Sequence, residues 1–359
     1  MKRSHGSIIV IALLMLSVIM LLTQQLIRNV YVGSQFIQTM IERQQAEVLA
    51  IGGIKLAIAE LTHNPGDQKS QKVFLSRVLP HLNRWQTFDL HEAIDGIDGQ
   101  VKLCISAEDG KLNINEIFDF KKQEFKPDYD GRLKALEIHG TFKSGEIHTK
   151  LLEYLKKRQR KLDDITELSA VDGLNQIDVL YHPPTPPATK KDKEMANDII
   201  TLQDMFTTWT TNDKINVLWL SDALCAAIGL DRPMANDAVR KQEDYKKIVT
   251  DLKPEMAQDW DAHWKTLEPI YGSKPKPEAM NSLKNIFSKE FEPKVYSVLS
   301  YGKVGQAEQT LLVVVKLTKE EKVDEESGSN DQADATQKNK TKSSDKPKEK
   351  FKILRLYWL

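Results

Sequence analysis

The chain opens Met1-Lys2-Arg3-Ser4-His5-Gly6 and continues Ser7-Ile8-Ile9-Val10-Ile11-Ala12-Leu13-Leu14-Met15-Leu16-Ser17-Val18-Ile19-Met20-Leu21-Leu22. No Lys, Arg, Asp or Glu falls between Arg3 and Arg28. Extended by Thr23 to Ile27, the run matches the about 20 apolar residues that a helix needs to cross a bilayer core. Lys2 and Arg3 stand ahead of it, so the start stays cytoplasmic and the bulk of the chain is translocated. The helical pattern continues past the membrane. Ile37, Met40, Ile41, Val48, Ile51, Ile54, Ile58 and Leu61 recur mostly at three, four or seven, with Gln38, Glu42, Arg43, Gln44, Gln45 and Glu47 between them. Asn64-Pro65-Gly66-Asp67 is a strong stop. One helix from Ser7 to Thr62 would be roughly 80 Å long at about 1.5 Å per residue. Gly33 and Gly52-Gly53 are points where it can bend.

Three readings of the N-terminus compete. A cleaved secretory signal needs small residues after the apolar run, and Leu22-Thr23-Gln24-Gln25-Leu26 offers none. A plain membrane anchor fits. So does a prepilin-type leader, a short basic peptide ending in Gly directly before an apolar helix. Processing would then fall between Gly6 and Ser7 and keep the helix, with Ile8, Ile11, Leu14, Val18 and Leu22 in its membrane part. The amphipathic second half tilts the balance to the leader. A coiled-coil stalk would need a sustained heptad, which is missing.

Composition narrows the rest. The 359 residues allow about two or three domain-sized units. A near-average apolar content of 40% excludes global disorder. Lys+Arg 51 against Asp+Glu 51 leaves no net charge, which argues against nucleic-acid binding driven by bulk charge. Two cysteines exclude a disulfide framework or a Cys-based zinc cluster. Cys104 and Cys225 read as buried thiols, with one bridge between them open in an oxidising compartment.

Strands flank a helical middle. Gln100 to Ala107 alternates as a half-buried strand, Glu108-Asp109-Gly110 is a turn with Gly available for positive φ, and Lys111 to Asn115 returns from it. A helix opens near Glu116, with Asn113 suiting the turn and Asn115 the cap. From about 130 to 290 no strand is predicted. Helices are predicted at Gly131–Leu136, Gly145–Arg160, Asp164–Ala170, Asp198–Trp209, Leu218–Ile228, Ala235–Asp251, Pro254–Trp264 and Pro277–Lys289, with a rigid proline-rich connector at Tyr181–Pro187. Strands resume at Lys294–Gly302, Gln309–Leu317 and Phe351–Leu359. The polar stretch 319–350 reads as a disordered hairpin insertion. Lys111-Leu112-Asn113-Ile114-Asn115 and Lys214-Ile215-Asn216-Val217 form a faint internal echo, each ahead of a helix. The parts are a leader at 1–6, the N-terminal helix at 7–62, the first part of the body at 63–115, a helical insertion at 116–290, and C-terminal strands at 291–359.

Catalytic and metal patterns are weak. The eight histidines form no HExxH or His/Cys cluster, and no GxGxxG, GxxxxGK[ST] or GxSxG occurs. Asp128-Tyr129-Asp130-Gly131 and Asp95-Gly96-Ile97-Asp98-Gly99 read as solvated turns. Leu133 and His139 stand where a calcium loop starting at Asp128 would need Gly and Glu. Ser221 and Asp222 read as helix caps. Ile165-Thr166-Glu167-Leu168 with Val171-Asp172-Gly173-Leu174 is similar to a helix-hairpin-helix turn, with a structural use favoured on a translocated chain.

In this order and spacing the segments resemble the K-type minor pseudopilins of the type II secretion system, the general secretion pathway protein K family. The likeness is carried by the leader ending at Gly6, by Ile105 to Asn115 with Asp109, Gly110, Asn113 and Asn115, by Ile165 to Leu174 with Gly173, by Lys214 to Val217 with Asn216 and Leu224 to Gly229, and by Lys352 to Leu359. Pilin-like chains mostly carry Glu at the fifth residue after processing, and K-type members depart from that rule. Here the place is Ile11. The family's second Asn and Thr-Ala are replaced by Leu218, Trp219 and Leu220. Its acidic, calcium-linked stretch is replaced by Leu151-Leu152-Glu153-Tyr154-Leu155-Lys156-Lys157-Arg158, which puts calcium in doubt.

The resemblance implies an α+β pilin-like fold, a long N-terminal helix packed on an antiparallel sheet, with a large all-α insertion. It implies a non-enzymatic subunit at the tip of a periplasmic pseudopilus, processed and methylated at its N-terminus. Its partners would be the I-type and J-type minor pseudopilins, the inner membrane and its secretion platform, with no nucleic acid and no cofactor. A membrane-anchored periplasmic enzyme and a minor pilin of a type IV pilus are the alternatives.

Overall fold

The computed structural model describes residues 5–62, 68–135, 145–174, 201–221, 224, 285–288, 294–319 and 349–359. Helix α1 runs unbroken over His5–Leu61, about 85 Å at about 1.5 Å per residue. Its two halves differ. From Ile9 to Ile41 its large apolar side chains stand exposed. From Ala46 onward a stripe of Ala46, Ala50, Gly53, Ile54, Ala57 and Leu61 is buried, the spacing of one helix face. Small residues dominate that stripe because the helix lies close on a sheet. A Cβ at Gly53 would overlap the Ser300 hydroxyl, and one at Gly302 would overlap the Ala46 carbonyl oxygen. Gly53, expected as a bending point, is instead a place of close approach.

The sheet has five antiparallel strands, Trp85–Leu90, Gly99–Ala107, Val295–Val304, Ala307–Lys319 and Glu349–Trp358, side by side in that order. β1 is Trp85–Leu90 and β2 is Gly99–Ala107. After an insertion, β9 (Val295–Val304), β10 (Ala307–Lys319) and β11 (Glu349–Trp358) complete it. β2 pairs with β9, so the sheet is assembled from chain on both sides of the insertion, as the sequence suggested. β10 and β11 pair from Leu311↔Trp358 to Lys319↔Glu349. The stretch expected as a disordered hairpin loop, 319–350, falls between them, and 320–348 lie outside the described residues.

The expectation of a half-buried β2 needs correction. Cys104 and Ser106 are buried as well as Leu103 and Ile105. α1 covers one face, and the other carries a lateral row that crosses all five strands: Trp85, Cys104, Leu299, Leu312 and Tyr357. The insertion reaches this outer face. The Tyr357 hydroxyl donates to Asp164, Gln203 Nε2 donates to Ser297 Oγ at 3.0 Å, and Arg355 lies 5.7 Å from the Trp209 ring centre. The second cysteine of the sequence, Cys225, lies outside the described residues.

Several local expectations also shift. Helix α2 (Gln68–Val78), edge strand β1 and the one-turn helix α3 (Glu92–Asp95) were not anticipated. β3 (Leu112–Asn113) does not return along β2 but pairs in parallel with β6 (Phe206–Thr207). The predicted helix 198–209 is therefore a single turn at Leu202–Met205, capped by Thr201, that gives way to a strand. β7 (Ile215–Asn216) pairs in parallel with β8 (Phe287–Ser288), inside the predicted helix 277–289. β4 (Phe118–Asp119) and β5 (Glu124–Phe125) form a small ladder. Two-residue strands carry no readable periodicity, so long-range partners decide them. Glu146–Arg158 is helical as expected, 165–170 is a 3₁₀ helix, and the helix expected from Gly131 is present but starts earlier, at Pro127, taking in the supposed turn 128–131. The predicted helices at 235–251 and 254–264 and the proline-rich connector at 181–187 lie outside the described residues.

Candidate functional site

The apolar half of α1 is the most conspicuous functional surface. Gly6 and Ser7 lie in its first turn. Ile11, Leu14, Val18 and Leu22 are all exposed, with Ile11 at 55%. This is one helix long and apolar enough to cross a membrane. Two of its hydroxyls are satisfied internally: Ser17 Oγ donates to the Leu13 carbonyl and Thr23 Oγ1 to that of Ile19, both at 2.8 Å. Such back-bonding removes the cost of carrying a hydroxyl into lipid.

Exposure of apolar groups continues beyond the length of a membrane span. Between Arg28 and Glu42 there is no charge, and Val30, Tyr31, Val32, Phe36, Ile37, Met40 and Ile41 are exposed. Those residues span roughly 20 Å of helix. A charge-free apolar surface of this size outside the bilayer needs protein cover. Contact with the body begins at Glu42, which lies against the β9–β10 turn at Gly305.

The residues singled out between β2 and the insertion form the joint between sheet and insertion. The Asp109 carboxylate accepts the backbone N–H of Lys294 at 2.7 Å and of Val295 at 2.9 Å, and so fixes the start of β9. Burial pushes its carboxyl up, against the pull of those two donors. Gly110 does not have positive φ. It is needed because a Cβ there would overlap the Trp219 carbonyl oxygen. Trp219 is buried between Phe74 and Tyr296, with ring centres 6.4 and 6.5 Å away.

The cap expected of Asn115 is made by Asn113 instead. Asn113 caps α4 (Ile114–Ile117) by accepting from Asn115 N at 2.9 Å, and its Nδ2 donates to Thr210 Oγ1 at 2.9 Å. Asn115, inside the helix, clamps Leu162 through both its backbone groups, at 2.9 and 2.7 Å. Asn216 repeats the cap on the short 3₁₀ helix Val217–Trp219, accepting from Leu218 N at 3.1 Å. The internal echo is therefore physical: in each copy a two-residue parallel strand ends in an Asn that caps the following turn. Gly173 takes positive φ in the turn that closes on buried Leu174. Ser221 Oγ accepts from Leu224 N at 3.4 Å, and Asp222 lies outside the described residues.

Sequence reasoning missed the buried ion pair Glu108–Lys111, whose carboxylate also accepts from Ser297 Oγ at 2.7 Å. Its one signal was opposite charge at a spacing of three. Both acids of Asp128-Tyr129-Asp130 sit in the first turn of α5 (Pro127–Ala135). Bonds from Lys134 and His148 hold the Asp130 carboxyl below the usual range. In α6 (Glu146–Arg158) the stretch 151–158 buries Leu151 and Leu155 and offers one carboxylate, Glu153. Lys156, Lys157 and Arg158 fill its last turn, where they suit the helix dipole, and Arg158 pairs with Glu167. That donor set does not fit a calcium ion. Among the described residues no group of three or more His, Cys, Asp or Glu is placed to hold a metal.

No protein-family model matches the chain, and no curated protein sequence does. Among solved structures it is similar to a chain of the GspK-GspI-GspJ complex from the type 2 secretion system of enterotoxigenic Escherichia coli. The identity is 13% and the TM-score 0.42, over 92% of this chain and 99% of that one.

Proposed function

We propose that the protein is a bitopic pilin-like subunit, and specifically a minor pseudopilin at the tip of a periplasmic pseudopilus in type II secretion. The observation that carries this reading is the division of α1. Its second half is built into the body's core, while its first half and a further charge-free segment up to Ile41 stand bare. A plain anchor needs only the span; the additional apolar stretch calls for neighbouring helices.

Two features favour the tip. The place of the usual carboxylate is Ile11, so the subunit lacks the group that would neutralise the N-terminal amine of another subunit within the membrane. The insertion between β2 and β9 adds bulk where a further subunit would stack. The protein sits in the inner membrane with its body in the periplasm, and its partners are the I-type and J-type minor pseudopilins and the secretion platform. It acts by binding and needs no cofactor.

The test is capture of both minor pseudopilins by the full-length chain from detergent extracts of cells that co-express them. The reading expects both to be retained in comparable amounts. Retention of neither would overturn it. The isolated body 63–359 is unsuitable as bait, because it would lose Ala50, Ile54, Ala57 and Leu61 from the core.

A further inference from the structure

The charge-free segment of α1 beyond Arg28 has two unlike sides. At about 100° per residue, Val30, Val32, Phe36, Ile37, Met40 and Ile41 share one half of the helix surface. Tyr31, Ser34, Gln35, Gln38 and Thr39 share the other. The apolar half is exposed throughout. The polar half carries no charge, and three of its side chains bond within the helix. Gln35 Nε2 donates to the Tyr31 hydroxyl at 2.8 Å, Thr39 Oγ1 to the Gln35 carbonyl at 2.9 Å, and Gln38 Nε2 to Glu42 Oε1 at 3.0 Å. The Thr39 bond repeats the back-bonding of Ser17 and Thr23 inside the span. The body attaches elsewhere: Ala46, Ala50, Gly53 and Ala57 lie about a third of a turn from the middle of the apolar half.

We infer that the bilayer covers this half before the subunit meets its companions: α1 leaves the membrane tilted, with the apolar side of Val30–Ile41 lying on the headgroup layer. A helix leaving at a tilt turns one side to lipid and the other to water, which is the pattern of this segment. Upright, Ile8 to Arg28 covers about 30 Å, the thickness of the hydrocarbon core, and Ile41 stands about 20 Å above it. A tilt of about 35° is within the range of membrane helices and brings Ile41 down to about 11 Å above the core. Its downward side chains then meet the headgroups. The same tilt sinks Arg28 by about 5 Å, a distance its side chain recovers by snorkelling. The bilayer already touches α1 one turn earlier, at Ile27. It therefore covers the segment without the loss of freedom that association with a second copy costs. The body, set to another side of α1, is not driven into the membrane. This inference rests on the membrane-spanning helix of the pilin-like reading and describes the subunit before assembly.

The test uses the full-length protein in nanodiscs of phosphatidylethanolamine and phosphatidylglycerol, with one chain per disc and no companion. A fluorescent amino acid stands at position 36 in one sample and at position 38, on the polar half, in the other. Both positions are exposed and outside the core. Lipids with a nitroxide at the headgroup boundary should remove most of the fluorescence at position 36 and little at position 38. No quenching at either position would mean an upright helix and overturn the inference. Equal quenching at both would overturn it too, since the segment would then be immersed all round. So would shielding of position 36 that appears only with two chains per disc, which would make a second copy the cover. If companions are captured but position 36 is not quenched, the lipid seat is wrong and the functional reading stands. If position 36 is quenched but no companion is captured, the seat stands and the functional reading falls.

Discussion

Gly110 and the Trp219 carbonyl meet so closely that a single methyl decides whether the insertion closes on the sheet. Gly110→Ala should destabilise the fold by about 3 kcal/mol, read as a fall in the urea midpoint. Nearby, Lys111→Met strands the Glu108 carboxylate in the core. The expected loss is about 3–5 kcal/mol, and the double change Glu108→Leu with Lys111→Met should recover most of it. Asn216→Ala removes a cap worth about 1 kcal/mol; Asn113→Ala should cost more, because it also leaves Thr210 without its amide partner. Equal costs at the two positions would contradict the roles assigned to them. At Ile11 the order reverses the usual one for pilins. Ile11→Ala should leave secretion nearly unchanged, while Ile11→Glu places a carboxylate in the membrane at a cost of about 3 kcal/mol. Better secretion by the glutamate variant at matched protein levels would contradict a place at the tip.

α1 and the three C-terminal strands were legible in the sequence because each is long enough to repeat its own period. The first half of α1 announces itself by the charge-free run from His5 to Ile27, and β10 by Leu311 to Val315. The pieces that escaped are short or set by contacts distant in sequence. β6 and β8 have two residues each and exist because β3 and β7 lie beside them. The function of Gly110 depends on a carbonyl more than a hundred residues away, which no local pattern encodes. The hairpin of β10 and β11 permits a direct test at this scale. Its strands already pair at Lys319↔Glu349, so replacing 320–348 by a short glycine-containing turn should shift the melting temperature by no more than about 2 °C, since loop closure depends weakly on length. A loss of ten degrees would show that the removed segment contributes to the fold.

Across the whole molecule, one helix serves two environments. Its membrane end carries Ile11 and the flanking apolar run, its middle is bare and charge-free, and its last four turns form part of a core that is shared with the sheet and the insertion. The insertion in turn is tied to the sheet at its base through Asp109, Gly110 and the Glu108–Lys111 pair, and across the outer face through Tyr357 and Asp164. That continuity should make the insertion and sheet unfold together, so Gly110→Ala should lower a single thermal transition rather than split it. A pilin-like subunit that keeps its apolar helix after removal of a short leader declares itself at the N-terminus of the protein extracted from membranes. Edman sequencing should begin Ser-Ile-Ile-Val, at Ser7. A chain that begins at Met1, or at any residue beyond Leu22, would contradict it.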